Sequence, residues 1–152
     1  MKLPISLCFR QRGVTLIELI IVTVILAIII GIAVPSYQTS ITKNNRSLAK
    51  AELLSIFSKQ EQYFINNKGY ATNLTDLNYP ANEVYVNKHG DVTGSDIGAV
   101  YKFQFAAGAT SSSFTLEAIG LNSQADDTVC GTFTLDESGM QGATGSNGVS
   151  CW

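Results

Sequence analysis

A single carboxylate inside a 21-residue apolar run constrains this chain more than any other feature. From Val14 to Val34 the sequence reads VTLIELIIVTVILAIIIGIAV, and Glu18 is its only charged side chain. As an α-helix the run would be about 32 Å long, enough for the hydrocarbon core of a bilayer. A charge at the centre of such a span costs about 2.5–3.5 kcal/mol on insertion scales, which makes Glu18 a functional candidate by default.

Residues Met1 to Gly13 precede the run and carry Lys2, Arg10 and Arg12. A secretory signal peptide would place its small-residue cleavage site after the apolar region. Here the small residue, Gly13, comes before it. An ordinary single-pass anchor fits the length but gives Glu18 no purpose. The basic leader against the span predicts a cytoplasmic N-terminus. Lys43, Arg46 and Lys50 nearly balance the charge count on the far side, but they stand at least eight residues beyond Pro35. The rest of the chain is therefore expected outside the cytoplasm.

The chain has 152 residues, enough for one small domain besides the anchor, with twelve acidic and ten basic side chains. Without Lys2, Arg10 and Arg12 the remainder keeps seven basic and twelve acidic groups, a net side-chain charge of −5. That balance argues against direct nucleic-acid binding, which needs clustered Lys and Arg. Cys8 lies in the leader. Cys130 and Cys151 are left as a pair in an oxidising compartment, where a disulfide is expected. Closing about 20 residues, it would contribute roughly 3 kcal/mol on the chain-entropy account. A metal site is the poorer reading, because the only histidine, His89, is far away in sequence.

Gly31 and Pro35 interrupt the apolar run, yet helix-compatible sequence continues to about Asn66. Ile41, Leu48, Ala51, Leu54, Phe57, Glu61 and Phe64 recur mostly at steps of three, four or seven and suggest a largely apolar stripe. The expectation is one helix from about Val14 to Asn66, bent near Pro35, with Gly69 taking the left-handed conformation at its end. From Gly69 to about Gly98 the pattern is irregular, with Tyr70, Leu74, Leu77, Tyr79 and Tyr85 as scattered anchors. Beyond Gly98 the period becomes two. Tyr101/Phe103/Phe105, Phe114/Leu116/Ala118 and Phe133/Leu135 mark three strands, each with one apolar face. A small antiparallel sheet of that kind needs a cover, and the outer half of the helix is the apolar surface available. The fold class is α+β, and the Gly/Ser/Thr-rich tail from Gly139 to Gly148 would be loose without the disulfide.

The leader ending in Gly13, the following Val14-Thr15-Leu16-Ile17-Glu18 and the apolar run together resemble the prepilin signature of the type IV pilins. The resemblance implies cleavage between Gly13 and Val14, N-methylation of Val14, and an assembly role for Glu18, the fifth residue of the mature chain. The family usually starts its mature chain with Phe, and here that residue is Val. A proline in the family helix matches Pro35 and favours a continuous helix. Thr128-Val129-Cys130-Gly131, Leu135 to Gly139, Cys151-Trp152, Gln60 to Phe64 and Gly69-Tyr70-Ala71 are similar to the PilE-type minor pilins.

The type IV pilin fold is thus implied, with leader 1–13, a transmembrane and polymerisation half 14–35, and a periplasmic or extracellular domain 36–152 bounded by the Cys130–Cys151 disulfide. The implied part is a structural subunit of an extracellular type IV pilus or of its tip or initiation complex, supporting twitching motility, adhesion or DNA uptake. A type II secretion pseudopilin and a DNA-receptor pilin are the alternatives. Implied partners are other major and minor pilins, the prepilin peptidase/methyltransferase, the inner-membrane assembly platform, and membrane lipid before assembly. The subunit would sit as a single-pass inner-membrane protein first and in the fibre afterwards.

In pilins, Glu18 of one subunit would meet the N-terminal amine of the next. The pair would attract strongly in a low-dielectric bundle, and an unpaired Glu18 would be costly there. Glu18 near the headgroups of an unassembled subunit is compatible with this. Gly31 and Pro35 read equally as a hinge or a static kink. Lys43, Arg46 and Lys50 share a helix face that could meet acidic neighbours, lipid headgroups or solvent. Asp126-Asp127 reads as a turn rather than a calcium site, and Asn45-Arg46-Ser47 and Asn73-Leu74-Thr75 are weak glycosylation sequons. No P-loop, nucleophile elbow or zinc motif is present, so neither an enzyme nor a cofactor is expected.

Overall fold

The computed structural model describes residues 13–152, so Lys2, Cys8, Arg10 and Arg12 lie outside the described residues. The chain divides into two compact units, one ending at Thr39 and one spanning Ser40–Trp152. Helix α1, Leu16–Asn67, contributes to both and runs 52 residues with Pro35 inside it. The expected start and end, Val14 and Asn66, are each within two residues of these bounds.

In the first unit the helix buries nothing. Its apolar stretch has a mean hydropathy of 3.1 and is long enough by composition to cross a membrane. Side chains all around it are exposed, from Leu16 at 76% to Ile32 at 70%. Helices that are apolar on every face belong in a lipid or protein interior rather than in water. Proline lacks the N–H that would continue the helical ladder. One turn on, the Thr39 hydroxyl donates to the Pro35 carbonyl at 3.0 Å.

In the second unit the buried row of α1 is Asn45, Ala49, Leu53, Ile56 and Gln60. This corrects the expected stripe. Ile41, Ala51, Leu54 and Phe64 are exposed, while Leu48 and Phe57 only flank the core. Both ends of the true row are amides, so apolarity alone pointed to the neighbouring face. Burial is tolerated because each amide is hydrogen-bonded. Gln60 pairs with the backbone of Ala71, donating to its carbonyl at 2.8 Å and accepting from its N–H at 2.9 Å. Asn45 donates to Gln124 Oε1 at 3.1 Å, and Gln124 donates in turn to the Tyr101 hydroxyl at 3.1 Å.

Six antiparallel strands form one sheet in the order β2-β1-β3-β4-β5-β6. They are β1 Val84–Asn87, β2 Val92–Thr93, β3 Ala99–Phe105, β4 Thr115–Gly120, β5 Phe133–Asp136 and β6 Gln141–Ala143. The three strands expected from alternation are β3, β4 and β5. Register aligns their inward residues into a row, Val84↔Phe103↔Ala118↔Phe133, in which the small Ala118 separates two aromatic rings. These residues, with Leu116 and Leu135, share one core cluster with Ala49, Leu53 and Ile56. Burying side chains of this size stabilises by about 1.5–3 kcal/mol each, before ordering entropy is counted.

Two segments are more ordered than the sequence suggested. The span read as irregular, 69–98, contains a 3-10 turn at Leu74–Leu77 and the two strands β1 and β2. Leu74, Leu77 and Tyr79 from it are buried in the core, as are Val84 and Val86. The Gly-rich tail supplies β6 and a run of backbone bonds, including Thr144 N–H to Thr132 O at 3.0 Å and Gly145 N–H to Cys130 O at 2.9 Å. A Cβ on Gly145 would overlap the Val129 carbonyl, so glycine is what permits this close docking. The left-handed residue ending α1 is Lys68, with φ 59°, rather than Gly69. Gly69 packs close to the 111 loop instead: a Cβ there would lie 3.2 Å from the Ser111 Cβ, so the Ser111 side chain would have to shift slightly.

Candidate assembly sites

Gly13 and Val14 precede α1, and both are exposed. Thr15 is the residue before the helix, and Glu18 is in its first turn. The Glu18 N–H donates to Thr15 Oγ1 at 3.3 Å, while Thr15 N–H and hydroxyl both donate to Glu18 Oε2 at 3.4 Å. This reciprocal arrangement is a capping box, the T-x-x-E spacing at a helix start. The reading of Glu18 as an assembly charge, or as a carboxylate near the headgroups, does not include this local role, although Thr15-Leu16-Ile17-Glu18 carries the capping signature openly. The carboxylate also lies at the positive end of the helix dipole. Gly31 and Pro35 both lie within unbroken helix, and nothing approaches the Cβ position of Gly31 within 4 Å.

The basic face of α1 is largely engaged within the chain. Arg46 donates from Nε to Asp127 Oδ2 and from Nη2 to Asp127 Oδ1, both at 2.7 Å. Lys50 Nζ donates to the Cys151 carbonyl at 3.1 Å. Asp127 also accepts the N–H groups of Val129 and Cys130 at 3.2 Å. One carboxylate thus fixes the entry to the disulfide loop and ties it to the helix. Burial pushes the Asp127 carboxyl up. The Arg46 hydrogen bond and charge and the two backbone donors outweigh it, leaving the carboxyl below its ordinary value. Arg46 is held more firmly protonated, chiefly by its hydrogen bond to Asp127. Burial raises the nearby Tyr101 hydroxyl to about 12.

Cys130 and Cys151 are bonded, with their Cα atoms 5.7 Å apart, and both are buried. Next to them Trp152 sets its ring edge-on to Phe133 at 5.7 Å and donates from Nε1 to the Gly142 carbonyl at 2.7 Å. The tail is therefore held by a covalent bond, an aromatic contact and strand pairing together. Asn45 is 2% exposed and hydrogen-bonded, so the first sequon is closed in the folded chain. Asn73 of the second is exposed. His89 lies in the β1–β2 turn, exposed, with its N–H on Asn87 Oδ1 at 2.8 Å. Asp127 of the acidic pair faces Arg46, which a cation site there would have to displace.

Comparison with known proteins places this geometry. A family model described as "Type IV minor pilin ComP, DNA uptake sequence receptor" matches residues 35–134. A second, the "Prokaryotic N-terminal methylation motif", matches residues 8–34. The chain is 34% identical over 62 residues to the type II secretion system core protein G of Pectobacterium carotovorum subsp. carotovorum, covering 41% of this chain and 40% of that protein. It is 31% identical over 70 residues to the type IV major pilin protein PilA of Myxococcus xanthus, covering 46% and 32%. The match thus spans less than half the length of these curated relatives. A solved type IV pilin from Shewanella oneidensis aligns over 73% of this chain and 97% of its own, at 22% identity and a TM-score of 0.49. With the first family model matching residues 35–134, about two thirds of its length, the chain belongs to the type IV pilins, in the family that model describes.

Proposed function

We propose that this protein is a minor type IV pilin, a structural subunit of an extracellular filament or of its tip or initiation complex, and not an enzyme. The observation that carries the reading is the first half of α1: exposed apolar side chains on every face from Leu16 to Val34 around one carboxylate, Glu18. Such a surface needs lipid before assembly and neighbouring helices afterwards. In this reading the leader 1–13 stays in the cytoplasm and is cut at Gly13–Val14. Val14 is then methylated, and Glu18 meets the amine of the next subunit. Residues 14–35 form the membrane and polymerisation half, with Gly31 and Pro35 providing any bend. Residues 36–152 face the periplasm and later the medium. Other pilins, the prepilin peptidase/methyltransferase and the assembly platform are the partners.

Mass spectrometry of sheared surface filaments tests this. The expected species begins at Val14, carries one methyl group and contains an intact disulfide. Absence of the chain from such filaments, with full-length protein in the inner membrane, would overturn the proposal. Recovery in a secretion apparatus instead would move it to the pseudopilins, as the core protein G relatives suggest.

A DNA-receptor role is the second reading, favoured by the description of the matching family model. The charges of this chain weigh against it. Arg46 faces Asp127, Lys50 the Cys151 carbonyl, Lys102 Glu83, and Lys59 the ring of Tyr79. Among the described residues Lys43, Lys68 and Lys88 remain for phosphates, and they are dispersed along the chain.

A further inference from the structure

Asn147-Gly148 is the only Asn-Gly step in the chain, and it falls inside the loop closed by Cys130 and Cys151. Glycine after asparagine leaves the next backbone nitrogen unshielded by a side chain, so that nitrogen can reach the asparagine carboxamide. The reaction open to the pair is an intramolecular acyl transfer. The Gly148 nitrogen attacks Asn147 Cγ, the side-chain nitrogen leaves as ammonia, and a five-membered succinimide ring forms. Water then opens the ring. Attack at Cγ leaves aspartate. Attack at the main-chain carbonyl leaves isoaspartate, with the backbone now running through the side chain. Water is the one co-reactant.

Space does not prevent this. Asn147 is exposed, and a Cβ on Gly148 would meet nothing within 4 Å. The docked backbone does prevent it. Asn147 has φ −88° and ψ −8°, far from the ψ at which the Gly148 nitrogen eclipses Cβ and the ring can close. The attacking nitrogen is also engaged, because Gly148 N–H donates to the Gly145 carbonyl at 3.1 Å. On either side, Asn147 N–H donates to the Val129 carbonyl at 3.0 Å and Ser150 N–H to the Asn147 carbonyl at 3.1 Å. These bonds last only while the loop is docked, and the disulfide holds its ends together, with Cα atoms 5.7 Å apart. The other asparagines are less suited. Asn44, Asn45, Asn66 and Asn67 are fixed in α1, and Asn122, before Ser123, donates its side-chain amide to the Ala99 carbonyl at 2.9 Å.

We propose that Asn147 is a self-modification site guarded by the disulfide loop, slow to deamidate while the loop is docked and quick once it opens. The change is one-way. Either product adds a negative charge. In isoaspartate the carbonyl that Ser150 binds becomes a side carboxylate, so the 3-10 turn Gly148–Cys151 cannot close as before. An opening of the loop is thereby recorded in the covalent chain.

The test follows the full chain in detergent micelles, oxidised and after reduction by a phosphine, in the same mildly alkaline buffer. Peptide mapping by mass spectrometry reads the exchange of the Asn147 amide for a carboxyl, and chromatography separates the isoaspartyl peptide. Reduction should speed the reaction by about tenfold or more, as expected where local opening governs a rate. Reduction loosens more than this loop, so a second variant keeps the disulfide. Gly145→Ala sets a Cβ against the Val129 carbonyl, which undocks the segment, and it too should deamidate faster at Asn147. Equal rates in the oxidised and reduced chains, no acceleration in Gly145→Ala, or faster deamidation at another asparagine in the opened chain would each overturn the proposal.

Discussion

Replacing Arg46 by Met would leave the Asp127 carboxylate where it is and remove its counter-ion. The Asp127 side chain is 2% exposed and that of Arg46 18%, so the pair is neither solvated nor wholly dry. Surface ion pairs contribute about 0–1 kcal/mol. Breaking a fully buried one costs about 3–5 kcal/mol, because an uncompensated charge is left inside. Here Asp127 would keep the Val129 and Cys130 N–H groups, and Met would refill much of the space along the Arg stem. A loss of about 2 kcal/mol is expected, within the range for hydrogen bonds to charged groups. For a fragment spanning 36–152 that is a drop of about 1 M in the urea midpoint.

The pH dependence separates this account from a mere packing defect. In the native protein the Asp127 carboxyl titrates below its ordinary value, so its stabilising contribution is fully present above about pH 3.9 and fades as the pH falls through the native value. Without Arg46 its hydrogen bond and charge no longer lower the carboxyl, so the variant takes up the proton at higher pH than the wild type. The gap between wild type and Arg46→Met should be widest at neutral pH and shrink below about pH 4. A cycle with Asp127→Asn and the double variant should give a coupling energy of about 1–3 kcal/mol at pH 7. Coupling under about 0.5 kcal/mol, or a gap of full size at pH 3, would refute the reasoning.

Gly13→Phe should leave uncleaved precursor in the inner membrane, read by immunoblot; normal mature protein on the surface would dismiss the cleavage proposal. Material from the native compartment should be lighter by two hydrogens than after reduction, and two free thiols at Cys130 and Cys151 would count against the staple. In a gel-shift titration the 36–152 fragment should bind duplex DNA weakly, and at most three phosphate contacts should limit the log–log salt slope to about −2.7. Sub-micromolar binding with a steeper slope would favour the DNA-receptor reading.

What the sequence made legible follows from how each element is stabilised. Strands β3, β4 and β5 show themselves because their inward positions carry Tyr101, Phe103, Leu116, Phe133 and Leu135 at period two. Strand β1 has the same alternation in Val84 and Val86 but lasts four residues amid turn formers. Strand β6, Gln141–Ala143, has no apolar alternation and is held by its pairing to β5 and by the Trp152 indole. The helix face was misplaced because Asn45 and Gln60 are buried through partners at Gln124 and Ala71, which composition cannot anticipate. Likewise, nothing local in Arg46 or Asp127 signals a pairing across 81 positions. The long helix and the cysteine pair were readable because both signals are local and strong.

Glu18 carries two explanations, and their magnitudes can be separated. As part of the capping box it receives contacts at 3.4 Å from Thr15, long for hydrogen bonds, and stands where the helix dipole favours negative charge. A charge so placed contributes about 0.3–1 kcal/mol. A carboxylate deep in an apolar span costs about 2.5–3.5 kcal/mol on insertion scales. Local capping can therefore hold Glu18 at an interface but is too small to offset its burial as a charge among packed apolar helices, whereas the amine of a neighbouring subunit would supply the missing partner. Glu18→Gln should insert into the membrane normally, since it removes a charge, yet be methylated poorly or be depleted from filaments. Thr15→Val removes the hydroxyl of the capping box while keeping the carboxylate, and should assemble nearly as wild type. If Thr15→Val reproduces the whole defect of Glu18→Gln, capping is the role of Glu18 and the proposed pairing between subunits falls.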